Sequence, residues 1–253
     1  MNADPMNAPI LQAEAITHAF GSLVVTDEVT LELAPGERHG LIGPNGAGKT
    51  TLFNILAGEI VPDAGSVRLD GADVTRHTPD RRARLGLARS FQRNNLFSDL
   101  TVRENLSIAC AIAHRVSHVA WKAFARHREV HESAEARAVA LGLEDVLDTV
   151  ARHLSYGTQR QLEIALALAL DPKILLLDEP TAGMSPEETA AMQAMIAALP
   201  SSLTLLVIEH DMEVLFGLAD RITVLDYGKV LIQGEPREVR DSDLVRSRYL
   251  GTR

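Results

Sequence analysis

The hydrophobic pattern divides the chain into three stretches. In the first, apolar runs at 10–17, 23–33 and 67–69 read as strands, and Asp70-Gly71 marks a hairpin turn after the third. Residues 38–42 form a further strand that leads into a glycine-rich turn and then a helix. After Gln92 the character changes. From Thr101 to about Leu147 the chain is rich in Ala, Arg, Glu and His, with almost no β-branched runs, and predicts helix. Thr101 and Glu104 supply the S/T-x-x-E pattern of a capped helix start. From Lys173 the alternation returns: strand 174–178, helix, strand 203–209, helix, then strands 222–225 and 230–232. Alternating strands and helices argue for an α/β fold, a sheet covered by helices, with the middle third as a helical insertion.

Composition narrows the partners. The chain has 253 residues, 46% hydrophobic and 23% charged, enough for a large core. Lysine and arginine number 25 against 34 acids, a formal charge of −9, so the chain as a whole is a poor binder of nucleic acid or anionic lipid. Any polyanion must be held by a local arrangement. The single cysteine, Cys110, cannot form an internal disulfide, which suits a reducing compartment, and it reads as a core residue. The first ten residues show neither a basic nor an apolar leader segment, and no apolar run approaches the ~20 residues of a spanning helix. Action at a membrane is therefore expected from its side.

Two motifs point to phosphate chemistry. Gly43-Pro44-Asn45-Gly46-Ala47-Gly48-Lys49-Thr50 fits G-x-x-x-x-G-K-[ST] and lies between a predicted strand and a predicted helix. Glycines let backbone N–H groups converge on phosphate, the helix start adds partial positive charge, Lys49 neutralises charge, and the Thr50 hydroxyl can ligate Mg²⁺. Further on, 174–177 is an apolar run that ends in Asp178-Glu179. A buried strand of this kind delivers two carboxylates to the C-terminal edge of a sheet, where ligand sites form in α/β folds. Asp178 can hold a metal, and Glu179 can polarise a water for attack on a γ-phosphate.

Leu154-Ser155-Tyr156-Gly157-Thr158-Gln159-Arg160-Gln161 opens a helical run that ends at Asp171-Pro172-Lys173. With the two motifs above, this order resembles the ATP-binding-cassette (ABC) ATPases over nearly the whole chain. Ala88-Arg89-Ser90-Phe91-Gln92, Asn95-Leu96-Phe97, the stretch 100–106, Leu162-Glu163-Ile164-Ala165 and Tyr249-Leu250-Gly251 resemble the branch that serves branched-chain amino-acid importers. The resemblance implies a phosphate-loop (RecA-like) core at 1–92 and 158–253 with an antiparallel β subdomain, and a helical signature subdomain at 93–157. The whole would be one cassette from about 10 to 250. It implies that Phe20 stacks on adenine, that residues 43–50 and Thr51 hold the phosphates, and that Ser155 and Gly157 reach the ATP of a second subunit. Glu179, His210 and Gln92 are the implied catalytic residues, and Thr50, Gln92 and Asp178 the implied Mg²⁺ ligands.

The implied partners are a second cassette (an identical copy or a paralogue), membrane permeases and, indirectly, a solute-binding protein, with no nucleic acid. The implied place is peripheral, on the cytoplasmic face of the cell membrane. Three positions depart from the common family pattern: Tyr156, Thr158 and Ser185. Ser185-Pro186-Glu187-Glu188 reads as an N-cap, an N1 proline and an N3 glutamate, and Asp211 after His210 as another N-cap. A GTPase would need an Asn-Lys-x-Asp reader, which none of the four lysines supplies. A cassette that clamps ATP without turnover stays open, as does a solute such as urea or an amide. Arg76, Arg81, Arg82, Arg84, Arg89 and Arg93 read as a solvated basic face. His114, His118, His127 and His131 read as surface histidines, and Trp121 and Phe124 as packing anchors.

Overall fold

The computed structural model describes residues 8–90, 96–114 and 127–250. Its strands are β1 (Leu11–Phe20), β2 (Leu23–Leu33), β3 (Arg38–Ile42), β4 (Ala64–Leu69), β5 (Ala72–Asp73), β6 (Leu87–Arg89), β7 (Ile174–Asp178), β8 (Thr204–Ile208), β9 (Arg221–Asp226) and β10 (Lys229–Gly234). The principal helices are α1 (Lys49–Ala57), α2 (Pro79–Arg84), α3 (Val102–Ala113), α4 (Arg128–Ala140), α5 (Tyr156–Leu168), α6 (Pro186–Ala197), α7 (Met212–Leu218) and α8 (Pro236–Asp241). One sheet is antiparallel, in the order β2-β1-β4-β5. The other runs β10-β9-β3-β8-β7-β6 and is parallel except for the β9–β10 hairpin.

The second sheet explains its unbroken apolar runs. Successive side chains of a strand point to opposite faces, and both faces here are covered. Leu175, Leu177, Leu205, Val207, Ile222 and Val224 enter one core, shared with Leu106 of α3, Ala134 of α4 and Leu162 of α5. Ile174, Leu176, Leu206 and Ile208 enter the other, shared with Leu52, Phe53 and Leu56 of α1 and with Ile16, Leu31 and Val67 of the antiparallel sheet. Cys110 lies buried in the first core, as the sequence suggested. Among the described residues no helix is long and apolar enough to cross a membrane.

Local signals place the helix starts. Thr101 accepts from Glu104 N–H while the Glu104 carboxylate accepts from Thr101 N–H, so α3 begins with a full capping box. Ser185 and Glu188 do the same for α6, with Pro186 at N1, and Asp211 caps α7. Asp70 and Gly71, with φ of 52° and 76°, turn β4 into β5 as a two-residue hairpin. Three outlines differ from expectation. β1 continues to Phe20, β4 starts at Ala64, and the short edge strand β6 carries no alternation long enough to read. Within the stretch expected to be helical, the described residues form α3, α4 and a 3₁₀ turn at Glu144–Val146.

The basic stretch is not the uniformly solvated face that the sequence suggests. Arg76, Arg81 and Arg84 are exposed as expected, and Arg93 lies outside the described residues. Arg82 is fully buried. Its Nη1 donates to the carbonyls of Ile55 and Leu56, both at 2.6 Å, in the last turn of α1. Nη2 donates to Val74 at 2.8 Å and Thr75 at 3.1 Å, and Nε to His77 at 3.2 Å. The guanidinium closes the C-terminal end of α1, where unpaired carbonyls and the negative end of the helix dipole favour a cation. Burial brings its pKa down to about 10, so it stays charged at neutral pH. Arg89 is also largely enclosed, paired with Glu59 at 2.6 Å and stacked 4.8 Å from the centre of the Phe53 ring. The reason is that an α2 side chain facing inward meets backbone acceptors drawn from distant segments, which a count of charges along the chain does not register.

Candidate functional site

The glycine-rich turn between β3 and α1 is shaped by close approaches. A Cβ on Gly43 would lie 2.4 Å from the Leu225 carbonyl oxygen. Gly48 has φ 96° and packs on β2, where a Cβ would come within 2.4 Å of Val25 O. Gly228, in the β9–β10 hairpin, donates its N–H to Ala47 O at 3.1 Å and so props the turn from behind. Pro44, Asn45, Gly46 and Thr50 are exposed around this turn, Thr51 is half-buried, and Ala47 and Gly48 are buried. Lys49 is 5% exposed and donates to the carbonyls of Gly43 at 2.7 Å and Pro44 at 3.1 Å. Burial pulls its pKa down, while Glu179 and Asp178 push it back up. The first turn of α1 carries no acid and no side-chain cap, which leaves its N–H groups to an anion.

Beside this turn, β7 ends in the two acids. Asp178 is 3% exposed, and neither carboxylate oxygen has a hydrogen-bond partner among the described residues. Burial raises its pKa, Glu179 adds to the rise, and Arg89, Arg160 and His210 oppose it. A buried carboxylate with free lone pairs is costly unless something binds it. That donor chemistry, with the exposed Thr50 hydroxyl nearby in sequence to Lys49, fits a hard cation such as Mg²⁺. Among the described residues no cluster of three His, Cys, Asp or Glu side chains is placed to hold a metal alone, so such a cation would take further oxygens from its anion.

Glu179 has φ 48°, an uncommon conformation for a residue with a side chain. Its N–H donates to Ile208 O at 2.9 Å, and its Oε1 lies 2.5 Å from His210 Nε2. Both side chains are partly exposed. The structure thus brings Lys49, Asp178, Glu179 and His210 together at the C-terminal edge of the parallel sheet. Glu209, which the sequence did not single out, is buried behind them and bonds both Thr181 and His210.

The other expected residues lie around this edge or outside it. Phe20 is 54% exposed at the end of β1, held edge-on by His18 with ring centres 4.8 Å apart. His18 in turn lies 3.2 Å from Asp63, which also accepts from Ala19 N–H. Ser155 is exposed and caps α5 by accepting from Thr158 N–H. Gly157 faces Glu188 of α6, and Tyr156 leans towards Gly183, so the 154–158 loop borders the 182–185 loop of its own chain. Arg160 donates to Tyr156 Oη and to Glu163. Gln92 lies outside the described residues, as do His118, Trp121 and Phe124. His114 is exposed, but His127 and His131 are half-buried rather than fully on the surface, His131 with its ring 3.4 Å from Ser107 Oγ. A cavity of about 430 Å³ opens between the end of α1, α2, β6 and α5, with Leu87, Ala88, Leu166 and Leu170 among its apolar walls and Arg89 and Glu163 among its polar ones.

The ABC transporter family model matches residues 26–182. The chain belongs to the ABC transporter family. This ABC ATPase is 39% identical to the high-affinity branched-chain amino acid transport ATP-binding protein BraF of Pseudomonas aeruginosa, over 97% of this chain and 99% of the relative. It is 38% identical, with the same coverage, to LivG of Escherichia coli, which has the same description. Among solved structures it is similar to a nucleotide-free ATP-binding cassette of an ABC transporter, with TM-score 0.83, 27% identity, and coverage of 96% of this chain and 100% of that one. It is also similar to the ADP conformation of an ATP-binding cassette of an ABC transporter, with TM-score 0.82, 28% identity, and coverage of 96% and 99%. The expected phosphate-loop ATPase fold is therefore the fold of this ABC protein, and nucleotide is the ligand of its family.

Proposed function

We propose that this ABC ATPase binds ATP with Mg²⁺ between two cassettes and hydrolyses it to drive import of a small solute, branched-chain amino acids first among the candidates. The observation that carries the reading is the convergence of Lys49, Asp178, Glu179 and His210 at one sheet edge beside the open start of α1. The solute rests on similarity to BraF and LivG, whose names state that substrate.

Each side chain has a part in this reaction. Backbone N–H groups of 43–50 and the α1 terminus take the phosphates, and Lys49 turns from the loop carbonyls to the phosphate oxygens. Phe20, fixed by His18, offers a face to the base. Thr50 and Asp178, with Gln92, would hold Mg²⁺, which supplies neutralisation of phosphate charge when bound. Glu179 accepts a proton from the attacking water, and His210 reaches from Glu179 Oε1 towards the γ-phosphate. Ser155 and Gly157 act on the ATP of the second cassette, since their loop borders 182–185 rather than the phosphate loop in this chain. ATP then bridges two copies or two paralogues, and hydrolysis removes the charge that joins them.

The division into a core at 1–92 and 158–253 and a helical unit at 93–157 follows from the same reading. So does a peripheral position on the cytoplasmic face of a membrane, with permeases as partners. The 430 Å³ cavity lies between the end of α1 and the helix that follows Ser155, beside the β6 strand that leads towards Gln92, and is the surface we assign to the permease side. Steady-state phosphate release tests the chemistry. Wild-type turnover, lost by about 10²–10⁴-fold in Glu179→Gln with ATP binding retained, supports a general base. Absence of wild-type turnover in the complex isolated from membranes favours the clamp instead. The solute that stimulates that complex identifies the cargo.

A further inference from the structure

Behind the Glu179–His210 pair stands a third, buried carboxylate. Glu209 follows β8, is 3% exposed, and bonds to the loops after β7 and β8. Its Oε1 accepts from both the N–H and the Oγ1 of Thr181, at 2.9 and 2.7 Å. Its Oε2 accepts from His210 N–H at 3.2 Å. Thr181 is itself buried and lies two residues after Glu179; Ala182 N–H returns to Glu179 O at 3.1 Å, and Met184 N–H to Thr181 O at 3.3 Å. The contacts close into a ring: Glu179 to His210 through their side chains, His210 to Glu209, Glu209 to Thr181, and Thr181 back along the chain to Glu179.

This arrangement costs free energy. A buried carboxylate is expensive to desolvate, and burial, with the nearby Glu179 charge, raises the Glu209 pKa despite three hydrogen bonds. An apolar or hydroxyl side chain would fill the position without that penalty. What a carboxylate adds is two acceptor oxygens, rigidly spaced, that hold the loop after β7 against the loop after β8. Those loops carry Glu179 and His210, and Glu179 sits at φ 48°, a conformation that persists only when its surroundings fix it. A misplacement of about 1 Å at such a centre can reduce the rate by about 100-fold.

We propose that Glu209 is a positioning residue for ATP hydrolysis, clamping Thr181 and His210 so that the His210–Glu179 pair keeps its geometry. The proposal rests on the ATPase reading above, and its test separates the two. Turnover and ATP affinity are measured on the purified full chain, first as wild type; no wild-type turnover counts against the ATPase reading itself. With an active wild type, Glu209→Gln offers one acceptor oxygen where two are needed and should lower kcat by about 10- to 100-fold, with KM for ATP within about twofold. Thr181→Val removes only the hydroxyl bond and should lower kcat less. The double variant should be no slower than Glu209→Gln alone, because both changes cut the same clamp. If Glu209→Gln does not fold, Thr181→Val carries the test by the same split between kcat and KM. Wild-type kcat in both variants overturns the proposal. So does an equal fall in kcat and in ATP affinity, which marks a general loosening of the fold.

Discussion

Replacing Arg82 with methionine removes a guanidinium surrounded by five backbone carbonyls while keeping most of its stem. The Ile55 and Leu56 carbonyls end α1, and both accept from the Arg82 guanidinium at 2.6 Å. Ile55 O keeps the N–H of Gly58 at 3.1 Å, so the loss leaves the buried Leu56 carbonyl unpaired, at about 1–3 kcal/mol. Loss of a charge at a buried helix C-terminus adds up to ~2 kcal/mol. Together these give roughly 1–5 kcal/mol, or a fall in Tm of roughly 2–20 °C for a protein of this size. Arg82→Lys keeps the charge but not the planar fork, so one ammonium cannot serve carbonyls from α1, from Val74–Thr75 and from His77 together. It should lie between wild type and Arg82→Met. Arg84→Met is the control: Arg84 is exposed, 3.9 Å from Asp80, and its loss should stay within about 0.5 kcal/mol. Thermal melting by circular dichroism, with urea titration to convert Tm into free energy, measures all three. A loss below about 1 kcal/mol in Arg82→Met, or a silent Arg82→Lys, would refute the view that this side chain closes the helix.

Lys49→Ala should weaken ATP binding itself, read by titration with a fluorescent ATP analogue; undiminished affinity counts against the phosphate site. Asp178 has the opposite stability sign to most carboxylates. Its pKa is raised in the fold, so its charge destabilises the protein above that pKa, and Asp178→Asn should raise Tm at neutral pH while abolishing turnover. A lowered Tm would mean that the carboxylate has a protein partner after all. At the far end of the sheet, Glu37 lies with its Oε1 2.8 Å from His39 Nδ1, and the other ring nitrogen of His39 meets Thr223 Oγ1 at 2.8 Å. Burial raises the Glu37 pKa, but the His39 bond, the Ala34 N–H and the charges of His39 and Arg221 outweigh it, and the net shift is downward. A depressed folded pKa means stability present above the ordinary value, near 4.3, and lost as pH falls below it. Glu37→Gln should therefore flatten the stability–pH curve between about pH 5 and 3, and an unchanged acid limb would contradict the assignment.

What could be read from the sequence was local. The capping boxes of Thr101 and Ser185 act over three residues, so spacing alone located the starts of α3 and α6. β3 and β7 were legible because a buried parallel strand is a short apolar run ended by polar or glycine-rich residues, and the phosphate loop is contiguous. Features built from distant segments were not. Arg82 finds acceptors 5 to 27 positions away, all on the backbone, which carries no side-chain signal. Glu209 and Thr181 are 28 residues apart and meet because β7 and β8 are neighbours in the sheet. β6 spans three residues, too few for a period of two to register.

The most direct test is the mass of the full-length Glu179→Gln protein in solution, by light scattering or sedimentation, with and without Mg·ATP. A chain whose 154–158 loop completes the site of a second cassette should pair when ATP is added and separate when it is withdrawn, and Ser155→Arg should prevent the pairing without reducing ATP binding. If the ATP-loaded protein stays monomeric, both alone and in the presence of its permease partners, the shared site does not exist and the account is wrong.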